Sequence, residues 1–378
     1  MNILALEPYY GGSHRAFLDG WVLHSRHQWA VLGLPPHKWK WRMRHSAVTF
    51  AEQVQAMAAD RPSFDMMFCS DMLNLAEFKG LAPKPIRSLP AVVYFHENQL
   101  TYPVRHENER DLHFGMINFT TALAAEQVLF NSAFHRDSCL GALRKLLHRM
   151  PDHNHIEAVD TIAQKSLIYP QGIVEPAPEG LRPPGPPRIL WVARWEHDKN
   201  PELFFEAMYR LQDEGREFRL SVIGEQFSDT PKIFDEAHSR LHGRIDRWGY
   251  QPTRLDYERA LAEADIVVST ADHEFFGVSV VEAVAAGTYP LLPNRLAYPE
   301  IFSIEGSACD EDFFYDGSID SLLGRLRTLL SKTASGNLWE NRPRRLSHIV
   351  EKYYWKNLAP RLDDALDAVI SRRDASPA

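Results

Sequence analysis

Short apolar runs alternate with amphipathic segments along most of the chain. In the first half, the apolar runs that predict strands are Ile3–Leu6, Trp29–Leu34, Asp65–Cys69, Ala91–Phe95, Gln127–Asn131 and Ser166–Tyr169. Segments of helical pattern lie between several of them, at Ser13–Leu23, Ser46–Ala59, Leu112–Ala124 and Ser132–His148. Strands that alternate with helices at this spacing favour parallel sheets with right-handed crossovers.

A segment rich in proline and glycine, Pro176–Pro187, interrupts this alternation and predicts a stiff interdomain linker. The alternation then resumes, with strands predicted at Arg188–Ala193, Arg219–Ile223, Asp265–Ser269 and Tyr289–Leu292 and helices at Pro201–Gln212, Pro231–Leu241, Thr253–Ala264, Val278–Ala286, Ile319–Lys332 and Trp355–Arg372. The sequence therefore predicts two doubly wound α/β domains, residues 1–175 and 188–350, with linker 176–187 between them and a tail at 351–378. Ligands bind at the carboxyl ends of strands in such sheets, and a cleft between the domains would collect both sets of ends.

Composition narrows the functional class. Of 378 residues, 44% are hydrophobic and 24% charged, which is typical of globular proteins and excludes disordered and collagen-like chains. The formal charge of −8 means that any contact with nucleic acid needs a local basic patch. Cys69, Cys139 and Cys309 are too far apart for a disulfide framework or a Cys-x-x-Cys zinc site. The pattern of a signal peptide and a membrane-spanning run are both lacking, so a cytoplasmic protein that does not contact a membrane is expected.

The densest polar cluster follows the predicted strand Asp265–Ser269. A loop that contains Glu274 comes first, and Gly277 then lets the backbone turn into a helix that starts at Val278. The first amides of that helix can bind an anion, and Glu282 lies one turn inside it. Two carboxylates on either side of a helix N-terminus can contact two ends of one ligand. The alternative is an acidic loop followed by a solvated helix glutamate.

Two cations follow the first predicted strand of the second half. Arg194 and Lys199 bracket the loop before the helix that begins at Pro201. Paired cations at the end of a strand can clamp a diphosphate. Alternatively, they are two basic residues on an exposed loop.

Together these motifs resemble the retaining GT-B glycosyltransferases of family 4. That family carries a Glu-x7-Glu motif, matched here by Glu274 and Glu282 within EFFGVSVVE, and an Arg-x4-Lys pair, matched by Arg194 and Lys199. The resemblance covers essentially the whole chain. It implies a GT-B fold, with two Rossmann-like domains, an interdomain cleft and a last helix that crosses back to the N-terminal domain.

The resemblance also implies roles on the donor side. Arg194 and Lys199 would hold the phosphates of a nucleotide sugar, and Glu282 would bind its ribose hydroxyls. Glu274, with a catalytic role in orienting the sugar, would hold the donor together with the backbone of the residues that follow it, Phe275, Phe276, Gly277 and Val278. The expected mechanism is retaining transfer in which side-chain cations and helix amides stabilise the leaving diphosphate, so neither a metal nor a further cofactor is expected.

Three other segments match the family's pattern. Tyr250, in the sequence Gly-Tyr-Gln, would contact the base of the donor. Gly12 and Ser13 lie at a strand–helix turn where the family's glycine loop approaches a phosphate. His96 follows AVVYF and matches the family's acceptor-side histidine, which would contact the transferred sugar or position the acceptor hydroxyl; Asn98 is assigned to the same side.

The segment from Pro35 to His45 combines cations with aromatic residues. Lys38, Lys40, Arg42 and Arg44 alternate with Trp39, Trp41 and Met43, and no acidic residue lies nearby. With a period of two, an extended strand would place cations on one face and aromatic residues on the other, as RNA binding requires. The alternative is an edge segment whose tryptophans lie in the core.

The N-terminal segments EPYYGGSHRAFLDGW, PPHKWKWRMRHSA and VVYFHENQLTYP, with Phe130–Ser138, resemble one branch of these enzymes, the tRNA-queuosine α-mannosyltransferases. The resemblance implies GDP-mannose as donor and the cyclopentenediol of queuosine in tRNA as acceptor. No motif distinguishes guanine from uracil or mannose from galactose, so the donor follows from the resemblance alone. The alternatives are a transferase that acts on a lipid or polysaccharide and a non-catalytic RNA-binding module on a transferase scaffold.

Overall fold

The computed structural model describes residues 1–57, 63–104, 110–177, 182–227, 229–303, 311–340 and 346–375. The chain divides into two compact units. Unit 1 comprises Met1–Gly172 and Trp355–Ala378, and unit 2 comprises Ile173–Tyr354. Cys309 and residues 178–181 of the predicted linker lie outside the described residues.

Unit 1 is built on a sheet of six parallel strands in the order β2-β1-β3-β4-β5-β6. The strands are β1 (Asn2–Glu7), β2 (Gln28–Gly33), β3 (Met66–Ser70), β4 (Ala91–Phe95), β5 (Gln127–Phe130) and β6 (Ser166–Ile168), and the helices are α1 (Gly12–His24), α2 (Trp39–Met57), α3 (Leu75–Leu81), α4 (Lys84–Arg87), α5 (Leu112–Ala124), α6 (Ala133–Leu147) and α7 (Ile156–Gln164). The central strands are buried along their whole length, as their continuous apolar runs require when helices cover both faces. The strand order reverses direction between β1 and β3, which makes the carboxyl ends of these two strands the expected ligand site of the sheet.

Unit 2 has a second sheet of six parallel strands in the order β12-β11-β10-β7-β8-β9. Its strands are β7 (Arg188–Val192), β8 (Arg219–Ile223), β9 (Ile245–Gly249), β10 (Ile266–Val268), β11 (Tyr289–Pro293) and β12 (Phe314–Tyr315), and its helices are α8 (Pro201–Asp213), α9 (Ile233–Leu241), α10 (Arg254–Glu263), α11 (Val278–Ala285), α12 (Tyr298–Ile301), α13 (Ile319–Ala334) and α14 (Ser347–Val350). This is the strand order of a Rossmann fold, and its switch point lies between β7 and β10.

The last helix of the chain, α15 (Trp355–Ala375), belongs to unit 1, where it packs on α1. The carboxylate of Asp363 is buried and accepts hydrogen bonds of 2.8 Å from Trp21 Nε1, Ser25 Oγ and the backbone N–H of Arg26. Trp355 lies so close to Gly20 that a Cβ atom there would stand 2.2 Å from the indole Nε1. Residues more than 300 positions apart in sequence therefore share one core.

The proline-rich segment is anchored to unit 2 over its described part. Arg182 donates to Asp265 Oδ1 at 2.6 Å and to the carbonyl oxygen of Gly287 at 2.5 Å. The backbone N–H of Arg188 donates to the second oxygen of Asp265 at 2.8 Å. Arg182 and Arg188 thus bind residues that lie just before β10 and β11, at the amino ends of interior strands of the second sheet.

The extended strand predicted across Pro35–His45 is wrong. Helix α2 begins at Trp39, and its buried positions include Met43, Ala47, Phe50 and Val54. Apolar residues that recur every three to four positions over this length decide the conformation, and the alternation of the first few residues does not. The sequence also missed β9, whose residues are mixed in polarity and half-buried, and β12, which has two residues.

Candidate active site

The loops that follow β7 and β10 are joined by hydrogen bonds at the switch point of unit 2. The carbonyl oxygen of Asp198 accepts from the backbone N–H groups of Asp272 and His273, at 2.8 and 3.3 Å. Thr270 donates its hydroxyl to the carbonyl oxygen of Lys199 at 2.8 Å. The Arg-x4-Lys segment and the segment before the Glu-x7-Glu motif therefore form one structure.

Lys199 is buried at the centre of this structure. Its Nζ lies 2.8 Å from the carbonyl oxygen of His273, 3.0 Å from Asp198 Oδ2 and 3.3 Å from Glu274 Oε2. Burial lowers the pKa of Lys199, but the carboxylates of Glu274 and Asp198 outweigh burial and raise it. Burial, followed by the charge of Lys199, lowers the pKa of His273 to about 4. The site thus holds a fixed positive charge beside a neutral imidazole.

Gly277 directs the chain from the Glu274 loop into α11. Its φ is +85°, and a Cβ atom would lie 2.9 Å from the ring of Tyr298, so glycine is needed both for the backbone conformation and for the space. The side chains of Phe275 and Phe276 are buried, so neither ring is exposed to a ligand. Val278 is the first residue of α11, where amide groups have no partner within the helix.

A polar cavity lies between the two loops and the start of α11. The cavity is lined by Trp191, Val192, Ala193, Lys199, Val268, Ser269, Thr270, Ala271, Glu274, Ser279, Val280 and Tyr298. The wall therefore carries one ammonium group, one carboxylate and several hydroxyls. An ammonium group can donate to a phosphate oxygen, and a carboxylate can accept from a sugar hydroxyl.

Glu282 lies on α11, and both of its oxygens are held by side chains of α10. Oε1 accepts from Arg254 Nη2 at 2.9 Å and Oε2 from the Tyr257 hydroxyl at 2.7 Å. Burial and then the Glu282 carboxylate raise the pKa of Tyr257 well above its ordinary value, so the hydroxyl keeps its proton and donates. Sequence reasoning missed Arg254 and Tyr257, because their role depends on how α10 packs against α11.

The remaining donor-side predictions lie nearer the surface. The side chain of Arg194 is 41% exposed and pairs with Glu196 Oε2 at 3.1 Å. Its charge is close enough to act on Lys199 and Asp198. Tyr250 directly follows β9 and is 66% exposed. Lys199 and Glu274 are thus brought into contact, Arg194 lies near them, and Glu282 has its own partners.

In unit 1, the segment after β1 carries the predicted glycine turn. Gly11 is extended, Gly12 has a φ of +52°, and Ser13 and His14 continue into α1. Nothing lies within 4 Å of a Cβ atom built on Gly12, so the backbone is open there. The position fits a close approach by a ligand, and it lies at the β1/β3 switch point.

His96 follows β4 and is packed among rings. Its imidazole stacks on that of His14, with ring centroids 4.0 Å apart, and meets Phe17 edge-on at 5.2 Å. Burial, followed by the charges of His14 and His135, lowers the pKa of His96 well below its ordinary value. Sequence reasoning missed His14, although its place two residues after the glycine pair is a signal that points to it.

One group of side chains in unit 1 has the atoms of a possible metal site. A carboxylate oxygen of Glu7 and imidazole nitrogens of His14 and His96 lie within 4.8 Å of one another. A metal binds a neutral imidazole, whereas the carboxylate of Glu7 favours the protonated form of His14. His14 Nδ1 lies 3.3 Å from Glu7 Oε1, which is within ion-pair distance but lacks the geometry of a hydrogen bond. We therefore assign no metal to this cluster, and a metal-independent reaction stays a prediction.

The predicted acceptor-side residues differ in their surroundings. Asn98 is fully buried, and its side chain bonds Leu100 and Thr101 to form a turn. Arg42 is also buried and donates to the carbonyl oxygen of Pro35 and to the rings of His37 and His45, so it cannot share an exposed face with the other cations. Lys38, Lys40, Trp41 and Arg44 are exposed.

Two family models match the chain. The model described as tRNA-queuosine alpha-mannosyltransferase N-terminal covers residues 2–173, and the model described as Glycosyl transferases group 1 covers residues 176–345. A tRNA-queuosine alpha-mannosyltransferase of Drosophila melanogaster is 36% identical over 316 residues, which are 80% of this chain and 82% of that protein. The chain belongs to the tRNA-queuosine α-mannosyltransferase family. It is therefore a glycosyltransferase of the hexosyltransferase class, as the sequence motifs predicted.

More distant similarities agree with this assignment. A GDP-mannose-dependent alpha-(1-6)-phosphatidylinositol dimannoside mannosyltransferase of Mycobacterium tuberculosis is 27% identical over 154 residues, 39% of this chain and 37% of that protein. Sucrose-phosphate synthase of Thermosynechococcus elongatus superposes with a TM-score of 0.71 at 13% identity, covering 98% of this chain and 100% of the other. HepE of Anabaena in complex with UDP-glucose gives 0.67 at 13% identity, covering 97% and 100%. These structures confirm the predicted GT-B class, with two Rossmann-like domains, while the cleft between the domains stays a prediction.

Proposed function

We propose that this glycosyltransferase moves mannose from GDP-mannose to the cyclopentenediol of queuosine in tRNA, with retention at the anomeric carbon. The observation that carries the proposal is the 36% identity, over most of both chains, to a protein named for this reaction. The N-terminal family model adds weight, because it covers the unit that the sequence analysis assigned to the acceptor.

Unit 2 supplies groups suited to a nucleotide diphosphate sugar. Lys199 is a buried cation whose raised pKa keeps it charged, and the start of α11 adds backbone amides. Both can stabilise the negative charge that develops on a departing diphosphate without a metal. Glu282, fixed by Arg254 and Tyr257, retains lone pairs that can accept hydrogen bonds from ribose hydroxyls.

GDP-mannose is favoured among donors because a partial relative is named as GDP-mannose-dependent. The fold does not determine which nucleotide sugar is the donor, since HepE shares the fold at 13% identity and its structure contains UDP-glucose. We expect Tyr250 to stack on the base of the donor, because it is an exposed aromatic residue at the end of β9.

An exposed face on α2 is suited to RNA. Lys40, Trp41 and Arg44 lie on successive outward positions of the helix, and Lys38 precedes it. Trp41 is 61% exposed, so its ring can stack on a base while the cations contact phosphates. We call these four residues the α2 face and propose that they bind tRNA.

The direct test is to incubate the full chain with GDP-mannose and tRNA that carries queuosine, and then to measure the mass of the released nucleosides. Queuosine should gain one hexose, and the control tRNA with guanine at the same position should be unchanged. Unmodified queuosine after prolonged incubation would contradict the acceptor assignment. A cytoplasmic location stays part of the proposal.

A lipid acceptor is the second candidate, since the mycobacterial relative is named for a phosphatidylinositol mannoside. Helix α1, at the N-terminus, carries only Arg15 and Asp19 besides its histidines, which is a poor surface for anionic lipid. Among the described residues, no helix combines the length and apolarity that crossing a bilayer requires. Transfer of labelled mannose to phosphatidylinositol vesicles but not to tRNA would favour this candidate.

A non-catalytic RNA-binding role makes a different prediction. Such a protein would gain no thermal stability from GDP-mannose, whereas an enzyme that binds the donor is stabilised in proportion to ligand concentration over its dissociation constant. A melting experiment with GDP-mannose therefore separates the two roles.

A further inference from the structure

Two stacked histidines lie at the carboxyl end of the sheet in unit 1. The rings of His14, on α1, and His96, after β4, are inclined at 30° with centroids 4.0 Å apart. His14 is 6% exposed and His96 is 8% exposed. At this distance, the free-energy cost is high if both imidazoles are in the charged, doubly protonated form, because like charges repel strongly where water is excluded.

The surroundings of His14 favour its charged form. Its Nδ1 lies 3.3 Å from Glu7 Oε1, at the end of β1. The same oxygen accepts hydrogen bonds from Ser70 Oγ at 2.9 Å and from the backbone N–H of Tyr9 at 2.8 Å. These bonds fix the carboxylate in place, so that its charge faces the imidazole.

The surroundings of His96 favour its neutral form. Phe17 and Tyr94 pack against its ring, at centroid distances of 5.2 and 4.7 Å. Its backbone is fixed on both sides, since its N–H donates to Asp71 Oδ1 and its carbonyl oxygen accepts from Asn131 Nδ2. Within the described part of the chain, the buried His96 Nδ1 has no hydrogen-bond partner.

We propose that His14, paired with Glu7, is a positioning residue that keeps His96 a neutral hydrogen-bonding group during glycosyl transfer. The inference rests on the proposed function in one respect, which is that His96 contacts the transferred sugar or the acceptor. His14 acts through His96.

A neutral His96 restricts where the acceptor's proton can go. As the bond between the sugar's anomeric carbon and the diphosphate oxygen breaks, the acceptor oxygen bonds to that carbon. The acceptor's proton passes to the departing diphosphate oxygen. Transfer of that proton to His96 would instead create two imidazolium rings with centroids 4.0 Å apart. His96 therefore orients a hydroxyl by hydrogen bonding and stays uncharged.

Charged and titratable groups from every neighbouring element act on the pair. His14 faces Glu7 on β1, Asp71 after β3 and Glu97 after β4; burial lowers its pKa, but these acids, with Glu7 foremost, raise it to about 9. His96 faces His14 and His135 on α6; burial is the largest cause of its lowered pKa, and the charge of His14 is the next. Burial raises the pKa of Asp71 in spite of His14. These directions agree with the geometry.

The test is a pH titration of the full chain, labelled with ¹⁵N at its histidine rings and followed by NMR. His96→Gln and His14→Gln identify the two signals by their loss. In the wild type, His14 should be doubly protonated and His96 neutral at neutral pH. In His14→Gln, the pKa of His96 should rise by about one unit or more, a roughly tenfold gain in proton affinity. The exposed His113→Gln should leave both signals unchanged.

Two results would overturn the proposal: a neutral His14 in the wild type, or an unchanged pKa of His96 in His14→Gln. If His14→Gln does not fold, Glu7→Gln serves instead, because removal of the carboxylate should lower the pKa of His14. No substrate is needed, so failure here is distinct from failure of the proposed function.

A kinetic readout completes the test. With queuosine-containing tRNA, the acidic limb of the kcat profile should move to higher pH in His14→Gln, by the same amount as the pKa of His96. A structural role for His14 would lower kcat equally at every pH, and that outcome would also contradict the proposal.

Discussion

The carboxylate of Glu282 is oriented by two side chains before any ligand is considered. Arg254 and Tyr257 each donate to one of its oxygens, and Arg254 is itself held by Glu258 at 2.7 Å. An ionised carboxylate has about four lone-pair positions, so two remain for the ribose hydroxyls. Such a carboxylate loses little rotational freedom on binding, which favours affinity.

Substitution of these residues should weaken donor binding in a graded way. Glu282→Ala should raise the dissociation constant of GDP-mannose by about tenfold or more, because hydrogen bonds to a charged group are lost. Tyr257→Phe keeps the carboxylate and removes one orienting bond, so an increase of roughly fivefold is expected. Calorimetric titration measures both. Glu263→Ala is the control, since Glu263 lies on the same helix but pairs with Arg247. An unchanged affinity in Glu282→Ala would refute the ribose role.

For single residues, sequence reasoning finds those that belong to a recognisable motif or whose partners lie close along the chain. Lys199 and Glu274 were predicted from motif spacing, and the structure brings them together. Glu7 and His14 were missed, because their relation to His96 depends on β1 and β4 ending at the same edge of one sheet. Sequence spacing alone carries no such information.

Helix α2 determines which cations can meet RNA. In a helix, Lys40, Trp41 and Arg44 share the outward face, while Arg42 turns inward to His37 and His45. The alternation over the seven residues from Lys38 to Arg44 does not determine the conformation, because it fits both a strand and the first turns of a helix. The burial of Met43, Ala47 and Phe50 then selects the helix.

Loss of two cations from the α2 face should flatten the salt dependence of tRNA binding. For Lys40→Ala with Arg44→Ala, the slope of log affinity against log salt should fall in magnitude by roughly 1.5, since each phosphate contact contributes about 0.7 to 0.9. Filter binding over a range of salt concentrations measures the slope. Lys84→Ala with Arg87→Ala removes the same charge from exposed positions on α4 and should leave it unchanged. Equal slopes for both double variants would show that the α2 face does not bind tRNA.

Helix α15 should be essential to the stability of unit 1. Asp363→Ala would leave three donors, on Trp21, Ser25 and Arg26, without their buried acceptor. The expected loss is about 3 kcal/mol in the free energy of unfolding of unit 1. Urea unfolding followed by hydrogen exchange at β1 amides measures it. Asp364→Ala, at a side chain that is 70% exposed, should cost less than about 1 kcal/mol. Equal losses in the two variants would contradict the account.

For the whole molecule, the order of strands explains where the chemistry lies. Each sheet has one switch point, β1/β3 in unit 1 and β7/β10 in unit 2. Apart from Tyr250, which follows the edge strand β9, the candidate residues follow these strands or their neighbours. The alternation of apolar runs with helices predicted both sheets, since parallel strands buried on two faces leave a clear pattern. The return of the last helix to the N-terminal domain follows from the family resemblance alone, because no local pattern encodes a contact across more than 300 residues.

The central claim is that the cation at the β7/β10 switch point drives transfer of mannose to queuosine-containing tRNA. The most direct measurement compares wild type and Lys199→Ala for transfer of labelled mannose from GDP-mannose to that tRNA, with hydrogen exchange confirming that the variant is folded. We predict label on queuosine with the wild type and a rate about 100-fold lower with Lys199→Ala. Unlabelled tRNA with the wild type, or an undiminished rate with a folded variant, would contradict the account.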